Sequence, residues 1–335
     1  MSYELLVEVR RNGIIESRHV GAAVVCNYKG VIEESWGEHN NLIFPRSALK
    51  PILAIPLIES GACDKYALSD EEIALACSSH QGELIHLECI KSWLARIGLS
   101  EEYLACGAEL PLDLNSAQTL LASGKNSSKL HHNCSGKHAS FLTTALRLNM
   151  SLDNYHQMEH PLQQLSLDTI SDMAGVNIRQ FPTGVDGCGL PAPTMSLRTL
   201  ALATARFANP VDLSEARANA IYRLQAAIIN HPLYLAGNNT FVSEIISATR
   251  GAIIAKTGAE GVVVAALPKD GLGVAVKIAD GSSRARPVAL MALLHFLGVL
   301  SEKEKKLLQK HFTPKLYNSR ESIIGEIRPA ASWLP

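Results

Sequence analysis

The sequence lacks a surplus of either charge, a leader-like start and a long apolar run, and each absence excludes a class of protein. The 31 Lys and Arg residues nearly balance the 32 Asp and Glu residues, which leaves a net charge of −1. Because polyanions are bound through a surplus of cations, nucleic acid and anionic membranes are excluded as main partners. No apolar stretch is long enough to span a bilayer, and residues 1–4 lack the basic and apolar pattern of a secretory leader. We therefore expect a cytoplasmic protein.

The cysteines lack the pattern of a disulfide framework. The chain has 7 of them, an odd number, and contains no C-x-x-C pair. With 335 residues and 47% hydrophobic content, it can build a core without covalent cross-links. We expect most of these cysteines to be small buried hydrophobic residues. Cys134 and Cys188 are considered separately below.

Strand patterns lie at both ends of the chain and helical patterns lie between them. Residues 3–10 and 20–26 flank Asn12-Gly13, a strong hairpin signal, and 31–37 follows as a third strand. Glycine-bounded β-rich runs return at 253–256, 261–267 and 273–278. We predict an α/β fold in which one antiparallel sheet is built from both chain ends, with a helical insertion. The predicted division is a sheet-containing domain, 1–60 and 236–335, and a mainly helical domain, 61–235.

Helices are predicted where apolar residues recur at helical spacing and start or stop residues flank them. The predicted helices are 47–59, 70–77, 84–97, 139–148, 197–207, 214–229 and 285–298. Residues 301–310 are charged, and we expect them to be exposed. We predict a loosely structured tail over 311–335.

The segment 44–51, F-P-R-S-A-L-K-P, predicts the start of a helix. Pro51 is tolerated there, because the first backbone N–H groups of a helix have no partner within it. Ser47 and Lys50 are three residues apart and would lie on one face. A serine becomes a nucleophile when a lysine of lowered pKa takes its proton, so this S-x-x-K spacing is compatible with catalysis. A helix-capping serine followed by a solvated lysine explains the same spacing.

A second motif, Lys256-Thr257-Gly258, lies at the end of a predicted strand. S-x-x-K at a helix start and a later K-T-G are two of the three motifs of penicillin-interacting serine enzymes. The third motif, S-D-N, is missing, and Ser78-Ser79-His80 is the nearest candidate. We predict that Ser79 and Lys256 form a second Ser–Lys pair that relays a proton toward Ser47. A strand-edge lysine and a helix end closed by a glycine turn are the structural alternatives.

Two glycine-containing segments carry unusual clusters of polar groups. The first is H-H-N-C-S-G-K-H, residues 131–138, and the second is D-G-C-G, residues 186–189. One interpretation is a metal bound by Cys134, Cys188 and one or two nitrogen donors. The other is that both turns present polar groups to a small substrate. The residues alone leave both interpretations open.

Five blocks of the chain, taken in order, resemble the class 3 (rhizobial-type, thermolabile) L-asparaginase family. They are F-P-R-S-x-L-K-P at 44–51, S-S-H-x-G-E at 78–83, H-N-C-S-G-K-H at 132–138, D-G-C-G-L-P at 186–191 and A-K-T-G-A-E-G at 255–261. The resemblance implies a fold similar to serine β-lactamases and glutaminases, and a homodimer. It also implies hydrolysis of the side-chain amide of L-asparagine to L-aspartate and ammonia.

The same resemblance implies a role for particular residues. Ser47 with Lys50 and Ser79 with Lys256 correspond to two adjacent Ser–Lys tandems, with Ser47 as the nucleophile. Three residues match the zinc ligands of the family: Cys134, Lys137 and Cys188. A lysine ligand must be neutral, which implies a strongly lowered pKa. Three further residues match polar positions around the substrate: Arg46, His138 and Asp186.

Two other functions remain as alternatives. A β-lactamase or penicillin-binding serine hydrolase is favoured by the S-x-x-K and K-T-G pair, but the missing S-D-N and export signal oppose it. A non-catalytic zinc- or amino-acid-binding protein would bind asparagine or zinc without releasing ammonia. Asparaginases with a threonine nucleophile are disfavoured, because the chain has no T-G-G-T segment near its start.

Overall fold

The structure, a computed structural model, describes residues 3–334, which form two compact units. Unit 1 comprises the residues up to Ala48, Met195–Asn209 and the residues from Glu244 onward, and unit 2 comprises Leu49–Thr194 and Pro210–Ser243. The strands are β1 Glu4–Arg11, β2 Ile14–Asn27, β3 Ile32–Trp36, β4 Leu42–Ile43, β5 Thr183–Val185, β6 Pro191–Pro193, β7 Met195–Ser196, β8 Ile254–Thr257, β9 Val262–Leu267, β10 Leu272–Ile278, β11 Lys315–Tyr317 and β12 Ile323–Pro329. The α-helices are α1 Lys50–Leu53, α2 Ile55–Glu59, α3 Ala62–Lys65, α4 Asp70–Ala76, α5 Leu84–Arg96, α6 Leu114–Ala122, α7 Ser135–Arg147, α8 Pro161–Ala174, α9 Leu197–Ala208, α10 Glu215–Asn230, α11 Pro232–Ala236, α12 Phe241–Ala248, α13 Ala285–Phe296, α14 Glu302–Leu307 and α15 Gln309–Phe312.

Unit 1 contains an antiparallel sheet in the order β11-β12-β1-β2-β10-β9-β8, with β3 also paired to β2. The predicted hairpin joins β1 and β2 at Asn12 and Gly13, whose φ angles of 46° and 79° suit a two-residue turn of the mirror-image type. Strand β2 pairs with β10, which places Val25 opposite Val274. The predicted α/β fold, with one antiparallel sheet built from both chain ends, is therefore confirmed.

The prediction of a loosely structured tail over 311–335 is wrong for two strands within it, β11 and β12, and residue 335 lies outside the described residues. Strand β12 pairs with β1 in antiparallel register, with Ile327 opposite Val9, and β11 pairs with β12. Ile327 is the only buried residue of β12. The segment therefore lacks the alternation of buried and exposed residues by which a half-buried strand is recognised. Its partner, β1, lies at the other end of the chain. The residues next to β12 in the sequence therefore do not indicate this pairing.

The core of unit 1 lies around β9 and β10. All of β9 is buried, which indicates that elements cover both of its faces. Helix α9 packs on β2, β9 and β10, and α13 packs on β9, β10 and β12. Gly273 lets α9 approach β10 closely, because an added Cβ would lie 2.2 Å from the carbonyl oxygen of Ala201.

Unit 2 is built around α7, which is buried from Ser135 through Ala145. Helix α4 packs on α7 and α10 packs on α4 and α2. An added Cβ on Gly136 would lie 2.4 Å from the carbonyl oxygen of Leu75, so this glycine permits the close approach of α4 and α7. Across residues 3–334, the structure has no helix with the length and apolar character needed to cross a membrane.

The helix predicted after Ser47 is present but divided. A 3₁₀ turn over Arg46–Leu49 leads into α1, and α2 follows after Ala54. Each of these two short helices has a proline in its first turn, where a missing N–H costs little. In one continuous helix the ring of Pro56 would collide with the carbonyl four residues earlier, which explains the break.

Candidate active site

Lys50 is fully buried in α1, and its amine contacts three acceptors of unit 2. Nζ donates to the carbonyl oxygen of Ser78 at 2.6 Å, to Ser79 Oγ at 2.9 Å and to the carbonyl oxygen of Asn133 at 3.4 Å. The amine of Lys50 is thus surrounded by oxygen atoms on three sides. The structure thus brings Ser79 to Lys50.

A buried hydrogen-bond chain fixes the segment that carries Ser79. The Gly82 N–H donates to His80 Nδ1 at 3.1 Å, and His80 Nε2 lies 2.8 Å from Ser135 Oγ. Because the Ser135 hydroxyl donates to the carbonyl of Leu130 at 2.9 Å, its oxygen accepts from His80 Nε2–H. Burial, reinforced by His86 and Lys50, holds the pKa of His80 well below its usual value. His80 is therefore neutral and ties the Ser79 segment to the start of α7.

The three predicted zinc ligands converge in the interior of unit 2. Cys134, Lys137 and Cys188 are all buried, and Lys137 Nζ lies 3.1 Å from Cys188 Sγ. The Cys188 thiol donates to the Cys134 sulfur, and this hydrogen bond lowers the pKa of Cys134 well below its usual value, against the effect of burial. Cys134 is at the start of α7, Lys137 lies one turn further along it, and Cys188 comes from a separate loop.

The donor set of this cluster fits zinc. Two sulfurs and one nitrogen are the donor types that zinc prefers, and three protein ligands with an open fourth position are typical of catalytic zinc sites. Residues 3–334 contain no group of three or more His, Cys, Asp and Glu side chains placed to hold a metal ion, so a zinc site here depends on the lysine. Although burial acts to lower it, the neighbouring sulfurs of Cys134 and Cys188 raise the pKa of Lys137. A zinc ion would have to displace the proton from this amine.

The loop of a small hairpin places Cys188 and Asp186. Strands β5 and β6 pair, and the loop between them is closed by the Asp186 N–H donating to Leu190 O at 2.8 Å and the Gly189 N–H donating to Asp186 O at 2.9 Å. Gly189 has a φ of 86°, a conformation that favours glycine. The carboxylate of Asp186 lies close enough to raise the pKa of Lys137 further. The predicted substrate residue Asp186 and the predicted ligand Cys188 thus reach the cluster on one rigid loop.

His138 is fully buried beside this cluster. Its Nδ1 lies 2.6 Å from the hydroxyl of Tyr155, which also accepts from the Ala105 N–H at 2.8 Å. Tyr155 therefore donates to Nδ1, which leaves a neutral His138 with its hydrogen on Nε2. Burial and the Lys137 charge hold the pKa of His138 well below its usual value. Nε2 has no hydrogen-bond partner among the described residues, which gives the interior an unused donor.

In unit 1, Ser47 is half-buried in the 3₁₀ turn that leads into α1. The Ala48 N–H donates to the Pro45 carbonyl at 3.1 Å and closes this turn. Arg46 has a φ of 50°, an uncommon conformation for a residue with a side chain. Such conformations cost about 1–3 kcal/mol and cluster at active sites, which agrees with a functional role for the next residue, Ser47.

The K-T-G motif lies at the end of β8, also in unit 1. Lys256 is buried, and its Nζ donates to the Thr257 carbonyl at 3.0 Å. Gly258 lies against the Ser47 turn, because an added Cβ would be 2.4 Å from the Pro45 carbonyl oxygen. The glycine of the motif therefore permits a backbone approach that no other residue allows.

Sequence reasoning missed three residues that support the site. Asn133 accepts from Lys50 through its carbonyl, and Tyr155 fixes the tautomer of His138. His132 accepts the Cys134 N–H through Nδ1 at 3.0 Å, and its Nε2 lies 3.7 Å from Glu109. Asn133 and His132 are adjacent to the cysteine motif and could have been found from it. Tyr155 lies in an irregular segment without any motif.

Comparisons with known proteins give one match over almost the whole chain. The family model for L-asparaginase II matches residues 7–329, which confirms the resemblance predicted from the five motif blocks. A direct comparison with curated protein sequences gives no match.

The structure is also similar to solved structures of low sequence identity. Mglu in its native form is 12% identical, with a TM-score of 0.46 over 83% of this chain and 61% of Mglu. A β-lactamase from Mycobacterium bovis is 11% identical, with a TM-score of 0.40 over 87% of this chain and 95% of the β-lactamase. The chain thus spans less than two thirds of the length of Mglu, and the family match carries the functional conclusion.

Proposed function

Because this chain belongs to the L-asparaginase II family and is an amidohydrolase of the asparaginase kind, we propose that it hydrolyses the side-chain amide of L-asparagine. The products are L-aspartate and ammonia. The structural observation that best supports the proposal is the contact of the buried Lys50 Nζ with the Oγ of half-buried Ser79, 2.9 Å. A buried amine against a hydroxyl is a proton-transfer pair, which amide hydrolysis by a serine enzyme requires.

In the proposed reaction Ser47 is the nucleophile. It lies in the turn immediately before α1, and Lys50 is three residues later. Lys50, in its amine form, takes the proton of Ser47, and the Ser47 oxygen bonds to the side-chain carbonyl carbon of asparagine. Backbone N–H groups at this turn, including that of Ser47, hold the oxyanion that forms. The strained backbone of Arg46 supports this assignment.

The leaving group requires a proton, and the proposal assigns its delivery to Ser79 and Lys256. The bond between carbon and nitrogen breaks as ammonia takes that proton, and an aspartyl ester remains on Ser47. Water then attacks the ester and gives one hydrogen to the Ser79–Lys256 pair, which replaces the proton that ammonia took. Lys50 returns its proton to the Ser47 oxygen, and L-aspartate is released. The contact of Ser79 with Lys50 supports a role for Ser79 in proton transfer.

Three charged or polar side chains are proposed to select the zwitterionic substrate. Asp186 pairs with the α-ammonium group, and Arg46 pairs with the α-carboxylate. His138 lies beside the Lys137 cluster, and its buried Nε2 has no partner among residues 3–334, which supports a polar contact with the substrate. Fixed charges of both signs favour an amino acid over a neutral amide.

Zinc is proposed as a second component, held by Cys134, Lys137 and Cys188. The mutual contacts of these three buried side chains support the assignment. A zinc ion there would supply a fixed positive charge beside Asp186 and His138. Asn133 and His132 orient the start of α7, and so hold the first two ligands in place.

The test is ammonia release from L-asparagine and L-glutamine by the purified protein, before and after chelation. Release from L-asparagine in preference to L-glutamine is expected. Loss of release on chelation, with recovery on adding zinc, would assign the metal to turnover. Hydrolysis of a chromogenic β-lactam without ammonia release would contradict the proposal, as would binding of L-asparagine without turnover.

A further inference from the structure

Arg286, in the first turn of α13, is a half-buried arginine for which residues 3–334 provide no carboxylate partner. Its Nη1 donates to the carbonyl oxygen of Gly258. Its Nε is buried and has no hydrogen-bond partner within the described residues. Burial lowers the pKa of Arg286, and no carboxylate of residues 3–334 offsets this effect. By contrast, the guanidinium of Arg217, which is also half-buried, pairs with Glu59.

This side chain is unfavourable for the stability of unit 1 in three ways. A guanidinium loses hydration on burial, and here no anion replaces the lost water. An unpaired buried N–H loses a hydrogen bond that it would make in water. A cation in the first turn of a helix also opposes the helix dipole. An apolar side chain of the same length would avoid all three costs, so stability alone does not explain an arginine at this position.

The hydrogen bond from Arg286 to Gly258 lies next to the segments that carry two residues of the proposed reaction, Lys256 and Ser47. Gly258 directly follows Lys256 and Thr257. Its N–H donates to Val262 O at 2.9 Å, which fixes the backbone on the N-terminal side of this residue. Its carbonyl is held by Arg286. Its Cα faces the Pro45 carbonyl, the acceptor that closes the Ser47 turn. All of these residues belong to unit 1.

We propose that Arg286 is a positioning residue for the hydrolysis. Its guanidinium holds the Gly258 carbonyl, and through it the end of β8 that carries Lys256 and the turn that carries Ser47. The inference rests on the proposed function, because the two positioned residues are its proposed nucleophile and second lysine. A displacement of about 1 Å in such a group lowers turnover by roughly 100-fold.

The test compares Arg286→Met with the wild-type protein. We expect kcat for L-asparagine to fall about 10- to 100-fold. KM should stay within about twofold, because no contact with the bound substrate is removed. The thermal midpoint should stay the same or rise, since a buried unpaired charge is removed. Arg286→Lys keeps a charged donor and should recover part of the lost kcat.

Arg217→Met is the matched control. This variant also replaces a half-buried arginine, but it removes the pairs with Glu59 and Asp172, in unit 2. It should lower the thermal midpoint and leave kcat of the folded protein unchanged. If Arg286→Met acted through a general loss of structure, it would lower the thermal midpoint as Arg217→Met does. If Arg286 is a positioning residue, only Arg286→Met lowers kcat.

Hydrogen–deuterium exchange gives a readout that needs no activity. Arg286→Met should raise amide exchange at 254–262 and 44–49 and leave the rest of unit 1 unchanged. Wild-type kcat in Arg286→Met, a raised KM with unchanged kcat, or unchanged exchange in these two segments would each overturn the inference. If the wild-type protein releases no ammonia, the proposed function fails, and exchange alone decides whether Arg286 holds these segments.

Discussion

The buried Nζ of Lys50 lies 2.9 Å from the Oγ of half-buried Ser79 in unit 2. The same amine donates to the Ser78 and Asn133 carbonyls, so its position is fixed from three sides. These contacts place the Lys50 amine beside the Ser79 hydroxyl, within reach for proton exchange. The account of the reaction depends on this contact.

Replacing Lys50 by Met removes the amine and retains the length of the side chain. We expect ammonia release from L-asparagine to fall by about 10²- to 10⁴-fold, the usual contribution of a general acid–base group. The thermal midpoint should change little, because the hydrogen bonds of the amine and the cost of burying a polar group are lost together. Lys91→Met, on the exposed face of α5, is the control and should keep full turnover. Full turnover in Lys50→Met would exclude Lys50 as the base.

Replacing Cys188 by Ala should remove bound zinc. One of three proposed protein ligands is lost, and even outer partners of a metal ligand contribute about 10- to 100-fold in affinity. Zinc per chain, measured after dialysis against a weak chelator, should fall close to zero. Cys63→Ala is the control, because Cys63 is equally buried in α3 and burial raises the pKa of its thiol to about 12. Equal zinc in the two variants would show that Cys188 is not a ligand.

Stability should fall as the pH drops below about 6.5, in part because of His86. Burial lowers the pKa of His86 from its usual value of 6.5, so the unfolded chain takes up a proton there before the folded protein does. Each such proton changes the free energy of unfolding by up to about 1.4 kcal/mol per pH unit. His86→Gln keeps a donor that can reach Leu233 O in place of Nε2, and it does not titrate.

The measurement is urea unfolding of both proteins between pH 7 and pH 5. The variant should lose less stability over this range than the wild-type protein. Parallel pH curves would mean that His86 binds its proton equally well in the folded and unfolded states.

Gly136→Ala should destabilise unit 2. The new Cβ would lie 2.4 Å from the Leu75 carbonyl oxygen and would force α4 and α7 apart. We expect a loss of about 1–3 kcal/mol in the free energy of unfolding, and weaker zinc binding, because Gly136 lies between Cys134 and Lys137. Gly107→Ala is the control, since nothing lies within 4 Å of its added Cβ. Urea denaturation distinguishes the two, and equal stability would contradict the packing argument.

Local sequence signals predicted the elements whose structure is decided locally. Asn12-Gly13 predicted the β1–β2 hairpin, and the acidic run after Ser69 predicted the start of α4, where the structure has a capping box. The glycine-bounded runs predicted β9 and β10, because strands buried on both faces are continuously apolar. The family resemblance supplied the site residues, since spacing alone left the metal and substrate interpretations open.

Features that depend on distant partners could not be predicted. Strand β12 is recognised only through its pairing with β1. The position of α9 on the sheet is recognised only in the structure, where Gly273 permits its close approach to β10. No spacing indicates that Ser79 meets Lys50, because 29 residues separate them. Arg286 belongs to no motif, and its role follows from its bond to Gly258.

The most direct test of the account is ammonia release from L-asparagine by Ser47→Ala, measured beside the wild-type protein at equal zinc content. The wild-type protein should release ammonia, and the variant should lose about 10⁴- to 10⁶-fold in kcat, as expected when a nucleophile is removed. Its thermal midpoint should stay close to that of the wild-type protein, because Ser47 is only half-buried. If the folded variant released ammonia at the wild-type rate, Ser47 would not be the nucleophile, and the proposed serine mechanism would be wrong.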